Sequence, residues 1–191
     1  MLKNKVPKIF LITLVLIAGI CFEYCISKTY VADVYYKKAR ELEKKGSIEE
    51  ALIFINEAVD KNPNEPTYLK ERARIYIALS AGANAGSVHA LKNLALIDLK
   101  TAYALNPNNL VVIRNSIPLY YFLAVENSQG FTTTAKDFFS ETKHRFPNDV
   151  GVYVSVAKYE KKLGWTRDYE ETLAQIKNLR PDLLEWNELL R

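Results

Sequence analysis

Apolar residues recur at helical spacing between residues 51 and 181, and a proline closes each recurrence. The four prolines are each followed by Asn or Asp, and are Pro63, Pro107, Pro147 and Pro181. Twelve residues before them stand Ala51, Ala95, Ala135 and Tyr169; eight before, Ile55, Leu99, Phe139 and Leu173; five before, Ala58, Ala102, Thr142 and Ile176. This pattern predicts short amphipathic helices that end at each proline, because proline disfavours helical geometry in the residue before it. Four copies of one unit indicate a repeat array.

The first unit predicts a pair of antiparallel helices. Tyr35, Ala39 and Leu42 share one face of a first helix, which Gly46 ends. Ser47 and Glu50 have the spacing of a capping box, in which each side chain bonds the backbone of the other residue. A second apolar stripe follows, formed by Ala51, Ile55, Ala58 and Val59.

A long apolar segment precedes the repeats. Residues 9–22 carry no charge, and the segment from Ile9 to Ser27 has nineteen residues. A helix rises about 1.5 Å per residue, so this length nearly matches a hydrocarbon core about 30 Å thick. The lysines before the segment outnumber Lys28 after it. This asymmetry predicts a cytoplasmic tail over 1–8, a transmembrane helix or signal anchor over 9–27, and residues 28–191 on the outer side.

Two other interpretations of this segment stay open. A cleaved signal peptide shares the basic start and the apolar run, although a clean Ala-x-Ala cleavage site is missing. Lipidation at Cys21 fits less well, because a lipoprotein has a small residue before the modified cysteine and Ile20 stands there. Glu23, at the end of the span, is read as reaching the headgroups rather than acting as an intramembrane functional carboxylate.

Small residues and prolines at these positions resemble the tetratricopeptide repeat (TPR) family. With Ala32 as position one of a 34-residue unit, the family's small, large, glycine and proline positions fall on Ala39, Leu42, Gly46, Ala51, Ala58 and Pro63. The last unit keeps Ala157, Gly164, Leu173 and Pro181, with Tyr169 replacing a small residue. The resemblance covers residues 30–181. It implies an all-α, TPR-like helical-hairpin solenoid of about four repeats, closed by a C-terminal capping helix over 182–191.

The two middle units depart from this period. Proline spacings are 44, 40 and 34 residues. In the second unit we predict a loop over 80–87 and then a long helix from about Val88 to Leu105. In the third unit we place the extra residues in the first helix, between Asn108 and Asn127. Pro118 either begins that helix, with Ser116 as its cap, or kinks it.

By resemblance, the first helix of each pair lines a groove. The candidate groove residues carried over by register are Tyr36, Arg40, Lys44, Lys70, Arg74, Tyr120, Lys158, Lys161 and Lys162. Lysine, arginine and tyrosine suit a protein or peptide partner with acidic residues, since charge-assisted bonds and ring stacking would hold it. The alternative is that these are ordinary solvated side chains of a helical array.

Charge and composition narrow the function. The net charge is +4, but from Lys28 onward 23 basic residues face 21 acidic ones, which does not suggest nucleic-acid binding. The only cysteines are Cys21 and Cys25, and the only histidines are His89 and His144. Neither a metal site, nor a cofactor loop, nor a nucleophile with a base is recognisable, so we predict no enzyme and no cofactor.

These observations predict a membrane-anchored scaffold that presents a TPR groove to partner proteins. One alternative is a structural or accessory subunit of a membrane enzyme or assembly, which would use the convex face and Trp186. Another is a secreted soluble TPR protein, if the leading segment is cleaved.

Overall fold

The structure is a computed structural model that describes residues 5–125 and 129–183, with side chains over 10–125 and 130–183. All regular structure in these ranges is helical, which confirms the all-α prediction. The helices are α1 (Lys5–Lys44), α2 (Ile48–Lys61), α3 (Pro66–Ser80), α4 (Ala85–Leu105), α5 (Leu110–Ala124), α6 (Gln129–Arg145), α7 (Val150–Lys162) and α8 (Thr166–Leu179).

Each odd-numbered helix pairs with the even-numbered helix that follows it, and the pairs pack in chain order. Within the stack, α3 lies against α5 and α5 against α7. Alanines at the predicted small positions are fully buried, among them Ala39, Ala51 and Ala135. A side chain this small lets two helix backbones approach closely, so the alanine register sets the pairing. The helical-repeat architecture is therefore confirmed, and it is compatible with the TPR resemblance.

The prolines mark the helix ends as predicted. Helices α2, α4, α6 and α8 each end two residues before a proline, at Lys61, Leu105, Arg145 and Leu179. After Pro63, Pro107 and Pro147 the next helix begins three residues further on. Asn109 and Asp149 cap α5 and α7, accepting hydrogen bonds from the backbone N–H groups of Val112 at 3.2 Å and Val152 at 3.0 Å.

Glycine, rather than a capping box, governs the turn from α1 to α2. Gly46 has a φ of 83°, and the N–H of Ser47 donates to the carbonyl of Leu42 at 3.0 Å. This is a Schellman turn, which glycine favours because it lacks a Cβ. The Ser47 N–H is therefore already bonded, and the Ser47 side chain makes no cap bond. The predicted capping box with Glu50 is wrong.

Helix α1 continues without a break from the apolar segment into the first repeat. The large apolar side chains between Phe10 and Ile26 are exposed, whereas Ala32 and Ala39 are fully buried. By length and composition α1 is a candidate membrane span or signal anchor. The predicted boundary after Ser27 is thus a change of surroundings within one helix.

The middle units differ from the prediction in two places. Helix α4 begins at Ala85, because the Asn84 side chain accepts from the Ser87 N–H at 3.0 Å, so the loop after α3 is short. Helix α5 has 15 residues, as α3 does, and Pro118 lies inside it. Relative to the 34-residue last unit, α5 is two residues longer than α7, and the other four extra residues of the third unit follow α5. Ser116 is not a cap; its hydroxyl donates to the Val112 carbonyl at 2.8 Å.

The C-terminal capping helix predicted over 182–191 lies largely outside the described residues, as does Trp186. The structure describes Asp182 and Leu183, and Leu183 packs against the last core cluster. Tyr169 borders the same cluster, which is formed by Tyr153, Ala157 and Ile176.

Candidate functional site

A cleft of about 410 Å³ opens where α1, α3 and α5 lie side by side. Four of the nine predicted groove residues line it: Tyr36 and Arg40 from α1, and Lys70 and Arg74 from α3. The other lining residues are Thr67, Glu71, Val111, Val112, Asn115 and Leu119. We call this set the α1–α3–α5 cleft. It brings together first helices from three successive units, as the resemblance implied.

Arg74 is neutralised from within the protein. Its guanidinium donates to the carboxylates of Glu43 on α1 and Glu71 on α3. The Glu71 side chain is only 3% exposed, and Arg40 approaches it at 3.7 Å. Burial raises the pKa of Glu43 despite the nearby Arg74 charge. The two arginines that sequence reasoning assigned to a partner therefore first serve to hold the α1–α3 contact.

Lys70 is the cleft's cation that lacks an ion pair. No carboxylate of the described residues lies within salt-bridge distance of its ammonium group, while Arg40 and Arg74 both have one. Burial lowers the pKa of Lys70 from its ordinary value. A partly buried ammonium without a close counter-ion is favourably placed to take an incoming carboxylate, because the new pair offsets lost hydration.

Tyr36 contributes an aromatic wall. Its ring lies 5.2 Å from the Tyr68 ring, and the Arg40 guanidinium lies 5.8 Å from the Tyr36 ring centre. Burial, and then the Glu71 charge, raise the pKa of Tyr36, so its hydroxyl stays neutral near pH 7. The Tyr68 hydroxyl donates to Asp33 of α1, which fixes α3 against α1 beside the cleft.

The α5 side of the cleft is largely apolar. Val111 is 68% exposed, and Leu119 and Val112 form the buried floor next to it. On the α1 and α3 side, three cationic side chains and the Glu71 carboxylate line the cleft. Glu43, which is not a lining residue, also pairs with Arg74 and brings the net charge to +1. A cationic wall facing an aliphatic wall suits a peptide with an acidic residue beside an aliphatic one.

Tyr120 is a correction to the predicted groove. It is 2% exposed, and its ring stacks on Phe138 with centroids 3.9 Å apart and planes 10° apart. Burial raises the pKa of its hydroxyl well above the usual range. Tyr120 belongs to the core between α5 and α6 and offers no ring to a partner. Lys44, by contrast, is exposed but does not line the cleft.

The three lysines predicted on α7 lie apart from the cleft. Lys162 lies 5.8 Å from the ring centres of both Tyr121 and Tyr159, and these two rings are 4.9 Å apart. Lys161 lies 5.7 Å from the Tyr169 ring on α8, and Lys158 lies 5.5 Å from the Tyr159 ring. The structure therefore places them beside aromatic rings further along the stack.

Counting forward from the preceding proline would have identified residues of α5 that line the cleft. In the second unit Thr67 and Lys70 come four and seven residues after Pro63. The same count from Pro107 gives Val111, which lines the cleft, and Arg114, which pairs with Asp149. Val111 and Arg114 were missed because all the extra residues of the third unit were expected in its first helix, whereas most of them follow α5.

A wider hollow of about 710 Å³ lies at the other end of the stack. It is formed by the turn before α7 together with α8, and Lys143 and Tyr153 are among its lining residues. It contains none of the predicted groove residues. Among the described residues no cluster of His, Cys, Asp or Glu side chains could hold a metal ion.

Comparison with known proteins gives a partial likeness. No protein-family model matches the chain. Over 89 residues, 46% of its length, the chain is 29% identical to the protein O-mannosyl-transferase TMTC3 of Homo sapiens. The aligned part makes up 10% of the human protein, so the likeness concerns one segment.

Proposed function

We propose that this protein is a membrane-anchored, TPR-like interaction module whose α1–α3–α5 cleft binds a peptide segment with acidic and aliphatic residues. The observation that carries the proposal is Lys70, a half-buried ammonium without an ion-pair partner among the described residues, which lines the same cleft as the exposed Val111. An acidic side chain would pair with Lys70, and an adjacent aliphatic side chain would cover Val111.

Peptide selection tests this proposal. The whole 191-residue chain, held in neutral phosphatidylcholine nanodiscs, is screened against random twelve-residue peptides displayed on phage. Enriched peptides are expected to carry Asp or Glu next to Leu, Ile or Val. A hydrogen bond to a charged group contributes about 1.5–3 kcal/mol, so Lys70→Glu should weaken the selected peptide at least about tenfold.

A matched charge reversal serves as the control. Lys100 is exposed on α4, away from the cleft. Lys100→Glu changes the net charge as Lys70→Glu does and should leave affinity within about twofold, because an exposed distant charge is screened by salt. Enrichment without acidic residues, or equal losses in both variants, would count against the cleft.

The anchor is tested separately. The exposed apolar stretch of α1 supports a span, and the sequence predicts that the repeats lie on the outer side. N-terminal sequencing of the mature protein distinguishes an uncleaved anchor from a secreted product. A cysteine introduced at exposed Gly130 should react with a membrane-impermeant maleimide on intact cells; labelling only after lysis would reverse the proposed topology.

A second candidate function is that of a structural or accessory subunit. It is favoured by an exposed apolar stripe on α4, where Leu94, Ile97 and Leu105 are 43%, 60% and 40% exposed. Ile97→Glu would then release the protein from its assembly, measured as a loss of mass in detergent-solubilised complexes, while peptide binding in the cleft continued.

A further inference from the structure

Helix α1 packs into the first repeat almost directly after its apolar segment ends. Ala32 is fully buried and Asp33 bonds the Tyr68 hydroxyl, whereas the predicted span ends at Ser27. Ala32 lies five positions after Ser27 along the helix, a rise of about 7.5 Å. The intervening segment is helical throughout, so the described chain contains no flexible linker there.

This continuity limits the height of the cleft above the bilayer. Along α1, Tyr36 and Arg40 lie about 14 Å and about 20 Å beyond Ser27. Tilting the helix only lowers these heights. The headgroup layer on each side is about 5–7 Å thick, so the cleft opens close above it. Tyr24 and Tyr30, both 68% exposed, stand at the boundary where tyrosines commonly anchor a span.

We propose that the α1–α3–α5 cleft binds an acidic juxtamembrane segment of another membrane-embedded protein. The inference rests on the proposed function, since it takes Ile9–Ser27 as an uncleaved span and the cleft as the binding site. A cleft fixed within about 20 Å of the hydrocarbon core meets chain that has just left the membrane at high effective concentration. A segment held further out by a rigid spacer does not reach it.

The lining of the cleft favours a peptide over a lipid headgroup. Glu43 and Glu71 already pair with Arg74, so the guanidinium that could hold a headgroup phosphate at two points is occupied. Val111 and Leu119 offer apolar contacts that suit an aliphatic side chain. The net charge of +1 matches one acidic side chain.

The experiment varies the distance between the partner segment and the membrane. The probe is the twelve-residue peptide selected above, joined to a leucine-rich transmembrane helix through either four residues or a helical spacer of thirty residues, about 45 Å long. The whole chain carries photoreactive benzoylphenylalanine in place of Thr67, a cleft residue. Both proteins are placed in phosphatidylcholine vesicles, and cross-linking is measured.

Cross-linking with the short spacer is expected to exceed that with the long spacer at least about tenfold. A matched variant with twenty Gly/Ser residues inserted between Ser27 and Lys28 adds about 25 Å of flexible reach and should erase this difference. Soluble peptide should bind both forms of the protein equally. Equal cross-linking of the two spacers by the uninserted protein would overturn the inference while leaving peptide binding intact.

Two further outcomes separate the possible failures. If the soluble peptide does not bind, or binds Lys70→Glu as well as the unaltered chain, the proposed function itself falls and the inference falls with it. If vesicles containing phosphatidylserine, without peptide, give lipid cross-links from position 67 that Lys70→Glu abolishes, the cleft holds headgroups and the inference is overturned.

Discussion

Arg72 on α3 holds Asp98 on α4 through two hydrogen bonds, Nε to Oδ2 and Nη2 to Oδ1, each 2.7 Å long. The Asp98 side chain is only 6% exposed. This two-point pair joins the two helices of the second unit, where α4 is longer than the other even-numbered helices in the described chain. The pair raises the pKa of Arg72, chiefly through the bond to Asp98.

Removing Asp98 should therefore be costly. Breaking a buried pair leaves an uncompensated charge, so Asp98→Ala should lower the free energy of unfolding by about 3–5 kcal/mol. Urea unfolding of the whole chain in detergent micelles, followed by circular dichroism, measures this loss. The double variant Arg72→Met/Asp98→Leu should recover most of it. Arg167→Ala, which removes an exposed pair with Glu171, should cost less than about 1 kcal/mol.

The glycines should respond in opposite directions. Gly46 has a φ of 83°, so Gly46→Ala should cost roughly 1–2 kcal/mol, because a Cβ is strained in the left-handed region. Gly130 is the second residue of α6 and has open space around it, so Gly130→Ala should gain about 0.4–1 kcal/mol, chiefly because alanine lowers the entropy of the unfolded chain. The same urea titration compares them. Similar shifts for both would contradict the role given to the turn at Gly46.

Small and turn-forming residues were the most predictable part of this fold. Pro63, Pro107, Pro147 and Pro181 made the helix ends predictable, since proline acts on the backbone next to it. Ala39 and Ala51 made the close approach of helices predictable, since the size of a side chain is known from the sequence alone. The hydrogen bond of the Ser47 N–H was not predictable in this way, because a Schellman turn and a capping box compete for that group. The positive φ of Gly46 favours the Schellman turn.

The cleft was predictable in outline but not in its charges. Register placed Tyr36, Arg40, Lys70 and Arg74 on one side of the stack, as the structure does. Which of the cations has no close carboxylate depends on Glu43 and Glu71 in three dimensions. The sequence predicted Arg40, Lys70 and Arg74 alike as groove cations, whereas the ion pairs leave Lys70 as the one without a close carboxylate.

Tyr120 should behave as a core residue. Tyr120→Ala removes the ring stacked on Phe138 and should cost about 3–5 kcal/mol of unfolding free energy. Tyr36→Ala removes a half-buried ring and should cost less, while weakening the selected peptide several-fold. Unfolding curves and fluorescence anisotropy measure the two effects. A Tyr120→Ala variant with unchanged stability would return this residue to the groove.

Replacing Lys70 by methionine should stabilise the protein while it removes binding. Burial lowers the folded-state pKa of Lys70 below its unfolded value. The contribution of such a lysine to stability is greatest above its unfolded pKa and is lost as pH falls through its folded pKa. At pH 7 the buried charge of Lys70 therefore lowers the stability of the folded protein. Lys70→Met should therefore raise the urea midpoint at pH 7 and abolish peptide binding. A lowered midpoint would show that the ammonium supports the fold rather than a partner.

The same pKa shift gives peptide binding a dependence on pH. A carboxylate binds the ammonium form, so affinity should stay level up to the lowered pKa of Lys70 and fall as pH rises through it, below the ordinary value of 10.5. Above that pKa the dissociation constant should increase about tenfold per pH unit, until the pKa of the bound state is reached. Anisotropy of the labelled peptide between pH 7 and 10.5 follows the change.

Lys70→Arg is the control, because a guanidinium keeps its charge throughout this range, and the affinity should then not change with pH. The raised pKa of Tyr36 keeps that hydroxyl from producing the same decline. Identical profiles for the two proteins would mean that another group sets the affinity, and Lys70 would lose its place as the contact for the acidic residue.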